Sequence, residues 1–177
     1  MAKIMALAGS NSSTSINYKL VKYTTLALQK HNVHLIDMAK MSFPIYSEDY
    51  EKEHGFSNSL VELKEAISNT DGMLLSVNEH NSNPSAFFKN VLDWLSRIDR
   101  NFLAGTKVLL MATSPGRGGA KYSLAAMNSL LPRFGAEIVE SFSLPSFSSN
   151  FDTEKGIVDA ELAKTHQQAI TNFLASL

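Results

Sequence analysis

The residues best suited to chemistry fall in three short loops. The first, Gly9-Ser10-Asn11-Ser12-Ser13-Thr14-Ser15-Ile16-Asn17, sets five hydroxyl side chains within nine positions, straight after the apolar run Lys3–Ala8. Hydroxyls, free backbone amides and the positive end of a following helix together suit a phosphate group held by neutral donors. Ser15 fits the N-cap of that helix. The loop lacks the Gly-Lys-Ser/Thr ending of a P-loop and the three spaced glycines of the dinucleotide fingerprint, which points away from triphosphates and from a Rossmann site. A hydroxyl-rich turn that only caps a helix is the plainer alternative.

The second loop, Glu79-His80-Asn81-Ser82-Asn83-Pro84, follows the apolar run Met73–Val77, and the third, Ser114-Pro115-Gly116-Arg117-Gly118-Gly119, follows Lys107–Thr113. In open parallel sheets ligands bind outside the carboxyl ends of the strands, where the strand order reverses. Three polar loops that each leave a strand therefore predict one site. No cysteine is present among the 177 residues, so thiol redox motifs, disulfides and thiolate metal sites are excluded. Any redox chemistry must be carried by a bound cofactor. The histidines stand apart and form no His/Asp/Glu cluster with metal-ligand spacing. His80 reads first as a surface hydrogen-bonder. A Ser10–Asp37–His hydrolase triad would lack its Gly-x-Ser-x-Gly elbow.

Short apolar runs alternate with amphipathic segments from end to end, which predicts a parallel sheet with crossover helices. The strands read as Lys3–Ala8, Val33–Ile36, Gly72–Val77, Lys107–Thr113 and Ala136–Ser141. The helices read as the segment carrying Ile16, Leu20, Tyr23 and Ala27, then about 57–69, 85–98, 119–134 and 159–176, with Met38–Gly55 irregular. Five strands at this spacing fit a doubly wound, three-layer α/β sandwich of order 2-1-3-4-5. Its switch point lies between strands one and three, flanked by the first two loops. The length suits a single domain over residues 1–177. The helix over 85–98 is apolar on more than one face. Its second stripe, Phe87, Val91, Trp94 and Ile98, suggests a subunit contact, with broad burial inside the chain as the alternative.

The formal net charge of -1 argues against nucleic acid and anionic membrane surfaces as partners. No leader and no apolar stretch of membrane-spanning length are seen, so a soluble cytoplasmic protein is expected.

Together the loops resemble the NADPH-dependent FMN reductase family, flavodoxin-like enzymes that include quinone, azo-dye and chromate reductases. The family's opening Gly-Ser-x-Arg-x-x-Ser-x-Asn is matched by Gly9, Ser10, Ser15 and Asn17. Its Pro-Glu-Tyr-Asn turn and Lys-Asn-x-x-Asp-Trp helix are matched by Glu79, Asn81, Lys89, Asn90, Asp93 and Trp94. Its Ser-Pro-Gly-x-x-Gly-Gly loop is matched by Ser114, Pro115, Gly116 and Gly119, with Gly118 shifted by one. Two positions depart: Ser12 stands where the family has arginine, and His80 where it has tyrosine.

The resemblance implies a flavodoxin-like fold, FMN as cofactor and NADPH or NADH as reductant. It implies that Ser10, Ser12, Ser15, Ile16 and Asn17 hold the phosphate and ribityl end. Glu79, His80, Asn81 and Ser82 would run along the isoalloxazine, with Ser114, Gly116 and Gly119 closing over the rest of the ring. No side chain is assigned as acid or base, because the flavin carries the chemistry. The implied activity is two-step hydride transfer to a quinone-like, azo or other small acceptor, by a homodimer or homotetramer joined through the helix carrying Phe87 and Trp94. The alternative is an FMN-binding electron carrier that does not react with nicotinamide. A third reading is a flavin-free partner-binding protein.

Overall fold

The protein is described here by a computed structural model covering residues 1–177. Three strands form its centre: β1 (Lys3–Ala8), β3 (Gly72–Val77) and β4 (Lys107–Thr113). After an exposed Lys3, β1 is buried to its end, and β3 is buried throughout. Continuous burial marks strands covered on both faces, which explains why these runs carry no alternation. The outer strands β2 (Asn32–Ile36) and β5 (Glu137–Leu144) are only partly buried. All five are parallel in the order β2-β1-β3-β4-β5, the order expected from the sequence.

Alternating strand side chains divide the core in two. Met5, Leu7, Met73, Leu75, Val108 and Leu110 pack under α3 (Asn58–Ser68), α4 (Ala86–Ile98) and α5 (Lys121–Leu130). Ile4, Ala6, Leu74, Leu109 and Met111 pack under α1 (Ile16–Thr25) and α7 (Ala160–Ser176). The result is three layers.

Several elements differ from the sequence expectation. β5 runs on to Leu144, three residues past the expected end, with a register shift against β4 between Val108 and Leu109. The helix after β4 shortens to α5, and Leu131–Phe134 tightens into a 3-10 turn that stops at Gly135 with φ +93°. The loop Pro145–Gly156 contains a helical turn, α6 (Phe147–Asn150), and most of a two-stranded ribbon of β6 (Phe151–Asp152) and β7 (Gly156–Ile157).

The stretch Met38–Gly55, expected to be irregular, holds a seven-residue helix, α2 (Glu48–His54). Ser47 caps it, Glu48, Asp49 and Glu51 fill its first turn, and Lys52 and His54 its last, following the helix dipole. No side chain of α2 is fully buried, so it carries no periodicity to read. Both carboxylate oxygens of Glu51 take hydrogen bonds from Arg97, at 2.8 and 3.1 Å.

This segment also covers part of the α4 stripe that the sequence suggests as a subunit contact. Trp94 is fully buried inside its own chain. Its indole Nε1 donates to Pro44 O at 2.8 Å, and Tyr46, Tyr50 and Phe56 meet the indole edge-on at 5.0–6.2 Å between ring centroids. Asn90 pins the strap with Nδ2 to Pro44 O and Oδ1 from Tyr46 N. Phe87 remains half-buried beside Phe43.

Candidate functional site

The three polar loops leave β1, β3 and β4 at one edge of the sheet. The first turns away from β1 at Gly9, whose amide donates to Ser76 O at 2.9 Å. Its glycine is required by packing rather than by backbone angle: a Cβ there would lie 2.6 Å from the Phe88 ring. Beyond it Ser10 is buried, while Ser12, Ser13 and Thr14 are exposed. The Ser10 hydroxyl accepts from Ser12 N and the Ser12 hydroxyl from Thr14 N, both at 3.3 Å. Ser15 caps α1 by accepting from Tyr18 N, as expected. The amides of Ile16 and Asn17 open the helix and have no intrahelical acceptor. No acidic residue occupies that first turn. The loop therefore offers hydroxyls, amides and a helix dipole that no anion neutralises.

The Asn17 side chain is turned away from the loop's mouth, which leaves only its backbone amide to face a ligand. Its side chain is 2% exposed and committed inward. Nδ2 donates to Thr113 O at 3.1 Å, while Oδ1 accepts from Thr113 N at 3.0 Å and from Ser76 Oγ at 2.7 Å. Through that side chain it ties the start of α1 to the ends of β3 and β4, and so fixes the first loop from beneath.

In the second loop, His80 and Asn83 exchange backbone hydrogen bonds at 2.8 and 3.1 Å across Asn81 and Ser82. Both central residues have positive φ, +52° and +63°, the geometry of a type I′ turn. His80, Asn81 and Ser82 are exposed. The Glu79 side chain points elsewhere: its Oε2 accepts from the amides of Tyr122 and Ser123 at 2.9 and 3.0 Å. The backbone of this turn remains available along the edge.

The third loop is fastened towards β5. Gly116 O accepts from Ser146 N and Ser114 O from Phe147 N. Gly116 is exposed, with only the Ser114 hydroxyl within 4 Å of an added Cβ. Gly119 behaves differently from expectation. It is buried at φ +57°, and a Cβ would press on Ser143 Oγ and the Pro145 backbone. The close approach that excludes a Cβ is to the end of β5. The Ser143 hydroxyl donates to Gly119 O at 2.8 Å.

All four non-glycine residues with positive φ, Asn81, Ser82, Ala120 and Ser146, lie after β3, β4 or β5 at this edge. Such conformations cost roughly 1–3 kcal/mol each and cluster at functional sites. The sequence reading did not single out Ser76, Thr113, Ser85 or Ser123, which build the site from beneath. Ser85 Oγ donates to Gly9 O, and Ser123 Oγ to Asn78 O. Their signal was a buried hydroxyl at or just beyond a strand end or helix start, too common to stand out. No group of three or more His, Asp or Glu residues could hold a metal ion.

Comparison with known proteins adds a second line. The model of the NADPH-dependent FMN reductase family matches residues 2–149. The quinone reductase of Escherichia coli (strain K12) is 38% identical over 79 residues, which is 44% of this chain and 42% of that protein, so the match spans less than half of that relative's length. The NADPH:quinone oxidoreductase of Arabidopsis thaliana is 27% identical over 184 residues, covering 99% of this chain and 91% of that protein. Among solved structures, a flavoenzyme NAD(P)H:(acceptor) oxidoreductase from Paracoccus denitrificans superposes with a TM-score of 0.77 at 24% identity, over 99% of this chain and 96% of that one, a likeness of fold.

Proposed function

Because this chain belongs to the NADPH-dependent FMN reductase family, we propose that it is an FMN-dependent NAD(P)H oxidoreductase acting on a quinone-like, azo or other small acceptor. The observation that carries the reading is the pairing across the switch point. A hydroxyl loop with uncommitted helix-start amides lies on one side, and a strained turn with its backbone at the edge on the other. That donor set fits a phosphomonoester and a flat polar ring. Bound FMN would supply the chemistry, accepting hydride from the nicotinamide and passing it to the acceptor.

Ser10, Ser12, Ser15 and the Ile16 amide would hold the phosphate by neutral donors, without the guanidinium fork that an arginine at position 12 would give. Backbone groups of Glu79, His80, Asn81 and Ser82 would orient the ring, with Ser114 and Gly116 beside it. Exposed Arg117 could meet the extra phosphate of NADPH. Residues 1–177 act as one FMN-binding unit in this reading. No helix is long and apolar enough to cross a membrane, and a cytoplasmic place is part of the proposal. The proposed homodimer or homotetramer rests on Phe87, now that Trp94 is covered internally.

The test is anaerobic. Apoprotein is loaded with FMN and mixed with NADPH or NADH, and flavin absorbance is followed before and after a quinone is added. Rapid bleaching, reversed by the quinone, is expected. Flavin that binds but resists both nicotinamides would instead make the chain an electron carrier. Failure to take up FMN would refute both readings.

A further inference from the structure

The Glu79 carboxylate stands where a helix N-terminus would otherwise receive an anion. α5 has no side-chain cap from Ala120, and its opening amides at Tyr122 and Ser123 both donate to Glu79 Oε2. A second bond runs parallel, from the buried Ser123 hydroxyl to Asn78 O at 2.8 Å. The segment just before the 80–83 turn is thus clipped to the first turn of α5 through two consecutive residues on each side.

Strain lies on both sides of this clip. Asn81 and Ser82 hold positive φ just after Glu79, and Ala120 holds φ +61° just before the helix that Glu79 caps. Residues in such conformations persist only where the surroundings over-determine them. The other fastenings of the third loop run to Ser143, Ser146 and Phe147 on the far side. The bonds from Asn78 and Glu79 to Tyr122 and Ser123 join this turn to the helix that the third loop leads into.

The geometry points to Glu79 as a positioning residue: its side chain sets the ring-side turn 80–83 in register with the third loop, so that both meet the flavin ring preformed. This rests on the FMN reading above and adds a role for a side chain that does not itself face the ring. Both amides bond the same oxygen, so a neutral amide of equal length can replace the carboxylate. The amide keeps both hydrogen bonds and gives up only the carboxylate's attraction to the helix dipole, a small loss beside that of the bonds themselves. A side chain one methylene shorter does not reach.

The experiment measures flavin binding by fluorescence quenching of wild type, Glu79→Ala, Glu79→Asp, Glu79→Gln and Ser123→Ala, using FMN and riboflavin. If the clip holds the binding-competent turn, its loss reduces the competent fraction and weakens apparent affinity by about ten- to a hundredfold. Glu79→Ala and Glu79→Asp are expected to show this loss, Ser123→Ala a smaller one, and Glu79→Gln to stay within about threefold of wild type. The fold-loss should be equal for FMN and riboflavin, because the phosphate loop is untouched. A merely structural role would lower apoprotein stability without that ring-side signature. Wild-type affinity in Glu79→Ala, or a loss confined to FMN, overturns the inference. So does a Gln variant as weak as Ala, which would assign the effect to charge. If wild type itself binds neither flavin, the functional reading fails first, and hydrogen exchange still tests the clip. The Tyr122 and Ser123 amides should exchange faster in Glu79→Ala, and unchanged exchange would refute it.

Discussion

Replacing Asn17 by alanine should unfold the protein more easily even when no flavin is bound. The side chain makes three buried hydrogen bonds, and its removal leaves Thr113 N–H and the Ser76 hydroxyl without their partner. Thr113 is 1% exposed and Ser76 fully buried, so bulk water does not reach either donor. Each orphaned buried donor costs about 1–3 kcal/mol, which gives about 2–6 kcal/mol for the pair. For a chain of this size, a loss near the middle of that range lowers the melting temperature by roughly 8–16 °C. Asn17→Asp should be at least as damaging, because a second carboxylate oxygen would then face the Thr113 carbonyl. The assay is urea unfolding of the apoprotein, followed by circular dichroism with the midpoint and slope fitted separately. Weaker FMN binding is expected as well, as a consequence of the loosened loop. An Asn17→Ala apoprotein as stable as wild type, with FMN affinity lost, would refute the reasoning and return Asn17 to the ligands.

Two further outcomes follow from buried contacts. His166 lies under α1 with Nε2 2.9 Å from Thr24 Oγ1, and the Thr24 hydroxyl is placed to donate to Leu20 O, so the ring can serve as donor. Burial depresses its pKa from 6.5 to about 4. The unfolded chain therefore binds a proton that the native state refuses as pH falls from about 6.5 towards 4, and stability is lost across that window by about 2–3 kcal/mol. Urea unfolding at pH 7.5 and pH 5 should show this loss in wild type, and a His166→Gln variant should lack that share of it. Equal pH dependence in both would sink the assignment. Gly9→Ala should cost about 1–3 kcal/mol through overpacking against Phe88, and pairing it with Phe88→Leu should recover part of the loss. Unchanged thermal stability of Gly9→Ala would show that the ring can move aside.

The sheet order was legible because each central strand is a short apolar run, and β2 and β5 were legible by spacing. The Ser15 cap and the three strand-end loops could be read the same way, from local residue types. What escaped depends on partners distant in the chain. Asn17 looks like a ligand in the sequence because its neighbours are hydroxyls, whereas its partner Thr113 lies 96 positions away. Gly119 looks made for a ligand until Ser143 and Pro145 are placed against it. The all-round apolar character of α4 was plain, but its cover came from a strap whose short helix buries no side chain fully. Glu79 sits in a polar loop, and nothing beside it in sequence announces that its carboxylate reaches the start of another helix.

The left-handed residues gathered along one rim have a practical consequence for making the protein more heat-resistant. Non-glycine residues at positive φ cost roughly 1–3 kcal/mol each, so glycine at such positions is an obvious way to relieve strain. In this molecule every such opportunity lies at the mouth of the proposed cofactor crevice. Hardening it there would trade turnover for melting temperature, so a designer should leave positions 81, 82, 120 and 146 alone and begin at the opposite end of the strands.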